Sequence, residues 1–441
     1  MRVDPTSAYR TTAQPICGAR LSTICFAVLF CASAHAETIA ITGVKVWTNA
    51  SDAPVPNATI VITDGRIASI LSDAAPPATA RVLPASGQVV TPALDAAATQ
   101  IGLVEVAGAS DTDDRGVNSG PLGAAFDVSY GVDANALTVQ LARAAGVGRA
   151  LVFPSPAGAG VFAGQGARLN LAGSSDIVER ARAAMFLTAG GAAADVVGGS
   201  RAAIWGQLRY ALEEARNLRG SSNTFKPRDQ LLNHVEIEAL LPVLARRIPL
   251  GVVANREADI RQAIAVARDF GVGIVIVGGA EAWRAADLLA ARQIPVVLDP
   301  LDELPVSFDA LGARRDNAAL LAKAGVIIGF SVSGQGIYLS YNVGSALREG
   351  AGMAVASGLP YAQAIRAITQ NAGRIWGDAT TRGMLVPGAA ADLVIWDGDP
   401  LEPATAPAMI FLGGRAVSLQ TRQTLLRDRY RPSRAVDRPA P

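Results

Sequence analysis

The sequence has very little of the two residues that most often hold transition metals. Its 441 residues include two histidines, His35 and His234, and three cysteines, all of which lie within residues 17–31. Removal of the first 36 residues on export would therefore leave one imidazole and no thiol. Such a mature chain has no disulfide and no thiol nucleophile. It also excludes a metal centre built from histidine or cysteine, which needs several such ligands.

The first 36 residues have the pattern of a secretory signal peptide. Arg10 and Arg20 precede the apolar run Ile24–Cys31, and small residues mark a cleavage position after Ala36. The apolar run is too short to span a bilayer, so we predict an exported, periplasmic protein that begins at Glu37. A lipid-modified Cys31 is the alternative, and the long charged section before the run indicates a translation start later than the first methionine.

An excess of charge of one sign is also lacking. The chain has 39 Lys and Arg against 38 Asp and Glu, a balance that gives no long-range attraction to nucleic acid or to anionic membranes. Half of the residues are apolar, which is enough for a large core. The length indicates two domains, or one large barrel with an accessory module. The segment Arg431–Pro441, rich in proline and arginine, is predicted to be a loose tail.

Two regions of short strands flank the middle of the chain. In residues 39–90 the strands alternate apolar and polar residues, and Asp64-Gly65 is a typical hairpin turn. In residues 388–419, Leu393–Trp396 and Met409–Leu412 are again short apolar strands. Neither region has enough strands for a stable sheet of its own. We therefore predict one small β-module formed by both ends of the chain.

The middle, from Pro92 to Gly383, alternates continuous apolar strands with helical stretches. This rhythm predicts a parallel sheet covered on both faces. Its length, about 290 residues, fits an eightfold β/α barrel better than the alternative, a doubly wound open sheet. The Gly- and Ala-rich stretches Gly158–Gly166 and Ala189–Gly199 predict loops over one face of the barrel.

Three motifs carry a family resemblance: Asp64-Gly65-Arg66-Ile67, Val89-Val90-Thr91-Pro92, and the segment Pro387–Pro400. With these motifs in this order, the chain resembles the amidohydrolase superfamily, especially its imidazolonepropionase-like and prolidase-like branch. The resemblance implies a distorted (β/α)8 barrel over residues 92–383 and a β-sandwich formed by residues 37–91 and 384–430. It also implies hydrolysis of carbon–nitrogen bonds, in which one or two divalent ions lower the pKa of a bound water.

The positions of the superfamily's metal ligands carry other residues in this chain. The histidines of a His-x-His motif after the first barrel strand correspond to Ala98 and Gln100. Two further histidine positions correspond to Val253 and Gly278, and the aspartate after the last strand corresponds to Ser331. By this resemblance the chain is a degenerate member that binds no metal and no other cofactor.

Polar residues at the strand ends are candidates for binding a ligand instead. Asn255 and Arg256 directly follow a predicted strand, and an arginine there can bind a carboxylate through two hydrogen bonds. The alternative is that Asn255 only caps the next helix. Gln100 and Ser331 are predicted to line the same pocket. The sequence identifies no catalytic residue.

Other catalytic chemistries find less support. A Ser-His-Asp relay would need an imidazole beside Ser331 or Ser333, but His234 lies at the start of a predicted amphipathic helix. The loop Gly158–Gly164 has its third glycine one residue late for a dinucleotide-binding fingerprint. The acidic run Asp111–Asp114 is typical of a solvated loop. A carboxylate site for Mg²⁺ or Ca²⁺, or hydrolysis by paired carboxylates, would use acidic residues near strand ends, namely Asp95, Glu105, Glu281, Asp299 and Asp302.

Three functions remain open at this point. The first is an exported, metal-free, non-catalytic homologue that binds a small amide or peptide-like ligand, or that partners an active homologous subunit or a second copy of itself. The second is an active hydrolase of carbon–nitrogen bonds with an atypical site. The third is a structural scaffold without a ligand. The fold alone does not choose between them.

Overall fold

The computed structural model describes residues 37–106, 108–156, 158, 160–173, 175–218, 231–302, 304–332, 341–379 and 381–431. The predicted signal peptide, Ser333 and the predicted tail from residue 432 onward lie outside the described residues.

The first five strands belong to one sheet. They are β1 (Thr38–Val46), β2 (Val55–Thr63), β3 (Arg66–Ser72), β4 (Arg81–Pro84) and β5 (Val89–Pro92). The predicted hairpin at Asp64-Gly65 connects β2 and β3, and both residues have positive φ, 50° and 74°. A two-residue turn of this kind matches the twist of the flanking strands, which explains the Asp-Gly sequence.

Eight further strands form a second sheet. They are β6 (Leu94–Thr99), β7 (Val147–Val152), β8 (Phe162–Asn170), β9 (Val178–Thr188), β10 (Leu250–Ala254), β11 (Ile274–Gly278), β12 (Val296–Leu298) and β13 (Ile328–Phe330). Their spatial order is the same as their order in the chain. The amide of Val332 donates to the carbonyl of Ala98 at 3.3 Å, so the first and last strands are joined. The sheet is a nearly closed barrel, which confirms the predicted barrel over the open sheet.

In the described part of the chain, ten α-helices precede or follow these strands. They are α1 (Leu137–Ala144), α2 (Gly191–Val196), α3 (Arg201–Leu218), α4 (His234–Leu244), α5 (Glu257–Phe270), α6 (Ala286–Ala291), α7 (Asn317–Lys323), α8 (Val343–Ala356), α9 (Tyr361–Ala367) and α10 (Asn371–Ile375). Within the described ranges, no helix combines the length and the apolar character needed to cross a membrane.

Strand β8 departs from the prediction. It pairs antiparallel with both β7 and β9, whereas the other neighbouring pairs in the barrel are parallel. The predicted loop Gly158–Gly166 is therefore wrong from Phe162 onward. Its small residues have a packing cause, because a Cβ at Gly166 would lie 2.7 Å from the ring of Phe186. The predicted loop Ala189–Gly199 is wrong as well, since it contains α2.

The chain ends with strands β14 (Leu393–Trp396), β15 (Pro407–Leu412) and β16 (Arg415–Ala416), followed by helix α11 (Arg422–Tyr430). Strand β14 pairs antiparallel with β5 and also with β15. Strands from both ends of the chain therefore share one eight-stranded sheet, as predicted. One face of this sheet buries its own apolar cluster, which includes Ile41, Ile60 and Phe411.

Aromatic side chains fill the barrel interior. The ring centroid of Phe186 lies 5.3 Å from that of Phe153 and 5.6 Å from that of Trp376. The indole Nε1 of Trp376 donates to the carbonyl of Ala97 at 2.6 Å. The same buried cluster includes Ala98, so one predicted ligand position lies within an apolar core.

Candidate ligand-binding cavity

A cavity of about 370 Å³ lies at the carboxyl ends of the barrel strands. Its lining comes from residues at or just after the ends of β6, β7 and β9–β13. In a barrel of this kind the functional site forms at this face, because the variable loops that follow the strands meet there. The cavity is therefore the candidate functional site.

The structure places most of the predicted site residues in this cavity. Gln100, Asn255 and Ser331 line it, and so do Val253 and Gly278. Their roles in ligand binding stay predictions.

Two predicted positions lie outside the cavity lining. Ala98 is fully buried in the apolar cluster of the barrel interior. Arg256 precedes α5, and its Nε lies 3.9 Å from a carboxylate oxygen of Asp259. Among the described residues, the lining includes Asn255 but not Arg256. The arginines that do line it are Arg115, Arg314 and Arg315.

Hydrogen bonds fix the side chain of Gln100. Arg115 binds Asp113 through two hydrogen bonds of 2.7 and 2.6 Å, and its Nη1 donates to Gln100 Oε1 at 3.1 Å. The side-chain hydrogen bond from Arg115 holds the pKa of Asp113 below its usual range. Because an arginine can only donate, the oxygen of Gln100 faces Arg115. Its Nε2 then donates to Ser155 Oγ at 3.0 Å.

Ser155 and Arg115 were not predicted as site residues. Ser155 follows β7 between two prolines, a strand-end position that could have marked it. Arg115 directly follows the acidic run that was interpreted as a solvated loop. Its contact with Gln100 depends on the chain turning back over the barrel mouth, for which the local sequence carries no signal.

Two hydroxyl groups that line the cavity differ in the hydrogen bond that each can still make to a ligand. Ser155 Oγ accepts from Gln100, so its own proton can be donated to a ligand. Ser331 Oγ donates to the carbonyl of Leu298 at 3.2 Å, so its lone pairs can accept. The cavity therefore offers a hydrogen-bond donor and an acceptor between apolar walls, which include Phe153 and Leu298.

Of the five acidic residues considered from the sequence, Asp299 and Asp302 line the cavity. Burial, with the added charge of Asp299, raises the pKa of Asp302. Glu281 instead accepts hydrogen bonds from the backbone amides of Glu257 and Gly312, at 2.9 and 3.0 Å. The side chain of Glu105 is exposed.

The fifth carboxylate lies near the start of its strand rather than the end. Asp95 is the second residue of β6, and both of its oxygens accept from the buried Arg168, at 2.9 and 2.8 Å. It therefore takes no part in the cavity at the carboxyl ends.

The comparisons with known proteins agree with this architecture. The sequence pattern of the Amidohydrolase family matches residues 273–420. An amidohydrolase structure from Thermotoga maritima MSB8 shares 22% identity and a TM-score of 0.75, over 86% of this chain and 99% of that chain. The resemblance to the amidohydrolase superfamily is confirmed.

Two prolidase structures are also similar to this chain. A prolidase complexed with N-methylphosphonate-L-proline has 16% identity and a TM-score of 0.54, over 87% of this chain and 100% of that one. A putative prolidase from Bifidobacterium longum has 18% identity and a TM-score of 0.51, over 90% and 99%. At these identities the likeness shows the fold. Among curated proteins, no sequence matches this chain.

The residues at the superfamily's ligand positions do not fit a divalent ion. Gly278 has φ of +94°, and a Cβ built there would lie 2.6 Å from Asn255 Oδ1, so a histidine would clash. Val253 and Ala98 supply hydrocarbon, while Gln100 and Ser331 supply only neutral oxygen atoms, and the oxygen of Gln100 already accepts from Arg115. Among the described residues, no three side chains of His, Cys, Asp or Glu form a group that could hold a metal.

Proposed function

We propose that this protein is an exported, metal-free and non-catalytic amidohydrolase-superfamily member that binds a small amide or peptide-like ligand. The observation that carries the proposal is that Ser155 and Ser331 both line the cavity, one with a free hydroxyl proton and the other with free lone pairs. An amide has one carbonyl acceptor and, when not tertiary, an N–H donor, and it needs the opposite groups around it. The two serine hydroxyls supply such groups.

The size and walls of the cavity support a compact ligand. A volume of about 370 Å³ is near the lower end for small-molecule sites. Phe153, Leu298 and two prolines provide apolar surface for a side chain. A dipeptide or a cyclic amide has this combination of a small body and a polar amide.

The chemistry of the donor set supports the non-catalytic part of the proposal. His234 lies in the first turn of α4, where its Nε2 is 3.0 Å from Glu238, and its side chain is exposed. It is not among the residues that line the cavity. The superfamily positions therefore provide neither an imidazole that could act as a base nor side chains that could hold a metal-activated water.

Calorimetric titration of the mature protein with N-acetylated amino acid amides and dipeptides tests ligand binding. Substitution of Ser155 by Ala removes a hydrogen-bond partner of the ligand, and substitution of Gln100 by Leu removes the residue that orients Ser155, so each should weaken binding about tenfold or more. The exposed Ser175→Ala variant is the matched control and should bind normally. Binding that is unchanged in both cavity variants would contradict the proposal.

Zinc titration of the same protein tests the metal-free part separately. We expect no stoichiometric binding at micromolar concentration, and tight binding of one ion per chain would refute this part. Export is tested by N-terminal sequencing of protein recovered from the periplasm, with Glu37 as the expected first residue.

A second candidate is an active carbon–nitrogen hydrolase with an atypical site. The observation that favours it is that Asp299 and Asp302 both line the cavity, and that burial, with the charge of Asp299, raises the pKa of Asp302 towards that of a general acid. This candidate predicts chelator-insensitive hydrolysis of dipeptides that is lost in Asp302→Asn. Hydrolysis that persists in that variant, or that is absent from the native chain, would exclude it.

A further inference from the structure

A second concave surface lies at the opposite end of the barrel from the ligand cavity. It is a recess of about 700 Å³ beside the amino ends of β10, β11 and β12, and it shares no lining residue with the ligand cavity. Among the described residues that line it there is no Asp or Glu. Six arginines do line it, and we call it the arginine recess: Arg180, Arg246, Arg247, Arg268, Arg292 and Arg374.

The fold creates this concentration of charge. The whole chain has a net charge of +1, and the six arginines come from five separate segments, which the barrel brings together. Arg246, Arg268 and Arg292 lie at or near the ends of α4, α5 and α6. The carboxyl ends of helices carry partial negative charge, which stabilises the positive charge of these three arginines.

Three of the arginines have protein partners. Arg180 lies 3.2 Å from a carboxylate oxygen of Asp378, and Arg268 lies 2.8 Å from Asp269. Arg246 donates to the carbonyl of Gly271. These contacts occupy part of the donor capacity of each guanidinium.

The other three have none among the residues that the structure describes. Arg247, Arg292 and Arg374 make no side-chain hydrogen bond and no ion pair there, and all three are exposed. A guanidinium presents five donors in a fixed fork that matches phosphate oxygens. Three guanidinium groups from three segments therefore direct many N–H donors without protein partners into one recess.

We propose that the arginine recess binds a small polyanion that carries two or more phosphate groups. A tetrahedral phosphate accepts hydrogen bonds from several directions, which suits guanidinium groups that arrive from different segments. A recess of about 700 Å³ is within the size range of small-molecule sites. Its concave shape favours a compact anion over a flat lipid surface.

Isothermal titration of the mature protein with inorganic tripolyphosphate at low ionic strength tests the proposal. We expect one site per chain, with affinity that falls as salt is added. Arg292→Ala and Arg374→Ala should each weaken binding about tenfold, and the lysine variants should be intermediate because they keep the charge but lose the fork. Amide binding at the other cavity should not change.

Charge-matched control variants distinguish a specific binding site from non-specific electrostatic attraction of the polyanion to the protein surface. Arg415 and Arg422 are exposed and do not line the recess, so their alanine variants should bind tripolyphosphate within about twofold of the native protein. Absence of binding at millimolar tripolyphosphate, or an equal loss in these controls, would overturn the proposal. Preference for duplex DNA or anionic vesicles over tripolyphosphate would overturn it as well. Thermal melting confirms that each variant is folded.

Discussion

The replacement of Arg168 by methionine should strongly destabilise the barrel. The side chain of Arg168 is fully buried, and those of its partners Asp95 and Asp378 are 6% and 7% exposed. Burial lowers the pKa of the guanidinium, but the two carboxylates outweigh this and raise it. Methionine preserves much of the volume and leaves Asp95 without a charged partner, while Asp378 keeps Arg180.

The expected cost follows from uncompensated charge. Removal of one partner of a buried ion pair costs roughly 3–5 kcal/mol. With an unfolding entropy of about 2.1 cal/mol/K per residue and about 400 folded residues, this corresponds to a fall in Tm of roughly 4–6 °C. Differential scanning calorimetry at pH 7 measures it. The Arg168→Lys variant should lose less, because it retains the charge without the two-pronged contact.

The loss of stability in Arg168→Met should also depend on pH. In Arg168→Met, a buried carboxylate loses its charged partner, and uptake of a proton by the folded state removes that uncompensated charge. The variant therefore gains stability relative to the native protein as the pH falls from 7 to 4. Asp95→Asn and Asp378→Asn combined with Arg168→Met should restore most of the stability. A deficit under 1 kcal/mol, or one that is equal at both pH values, would refute the reasoning.

Two further substitutions test the local structure. Glu236 is buried and accepts hydrogen bonds from the backbone amides of Gly123, Ala124 and Ala125. Glu236→Gln should therefore lower the free energy of unfolding by about 1–3 kcal/mol, as measured by thermal melting. Glu238 is exposed, so Glu238→Gln should change stability little. In Gly278→Ala, a residue with a Cβ must adopt a positive φ, and its Cβ lies 2.6 Å from Asn255 Oδ1. The variant should lose about 1–3 kcal/mol of folding stability and bind the amide ligand more weakly. Gly87→Ala has similar φ with no atom within 4 Å, so its smaller loss isolates the backbone strain from the contact.

Local patterns in the sequence determine much of this fold. The turn at Asp64-Gly65 forms as predicted because positive φ is needed at both positions. Continuous apolar runs such as Leu250–Ala254 form buried parallel strands, since both of their faces are covered. The lack of histidine also follows from composition alone. Each of these features depends on residues that are close together in the chain.

Only the tertiary structure decides the features that depend on crowding and closure. The composition of the Gly- and Ala-rich segment near Gly166 predicts a loop, but the segment forms a strand because it pairs with both β7 and β9. The ring of Phe186 leaves no room for a larger side chain at Gly166. Arg168 meets Asp95 and Asp378 across 73 and 210 residues of sequence. The arginine recess likewise arises in a chain of almost balanced charge. Sequence periodicity fixes which face of an element is buried, but barrel closure fixes which distant charges meet, and no local pattern encodes that encounter.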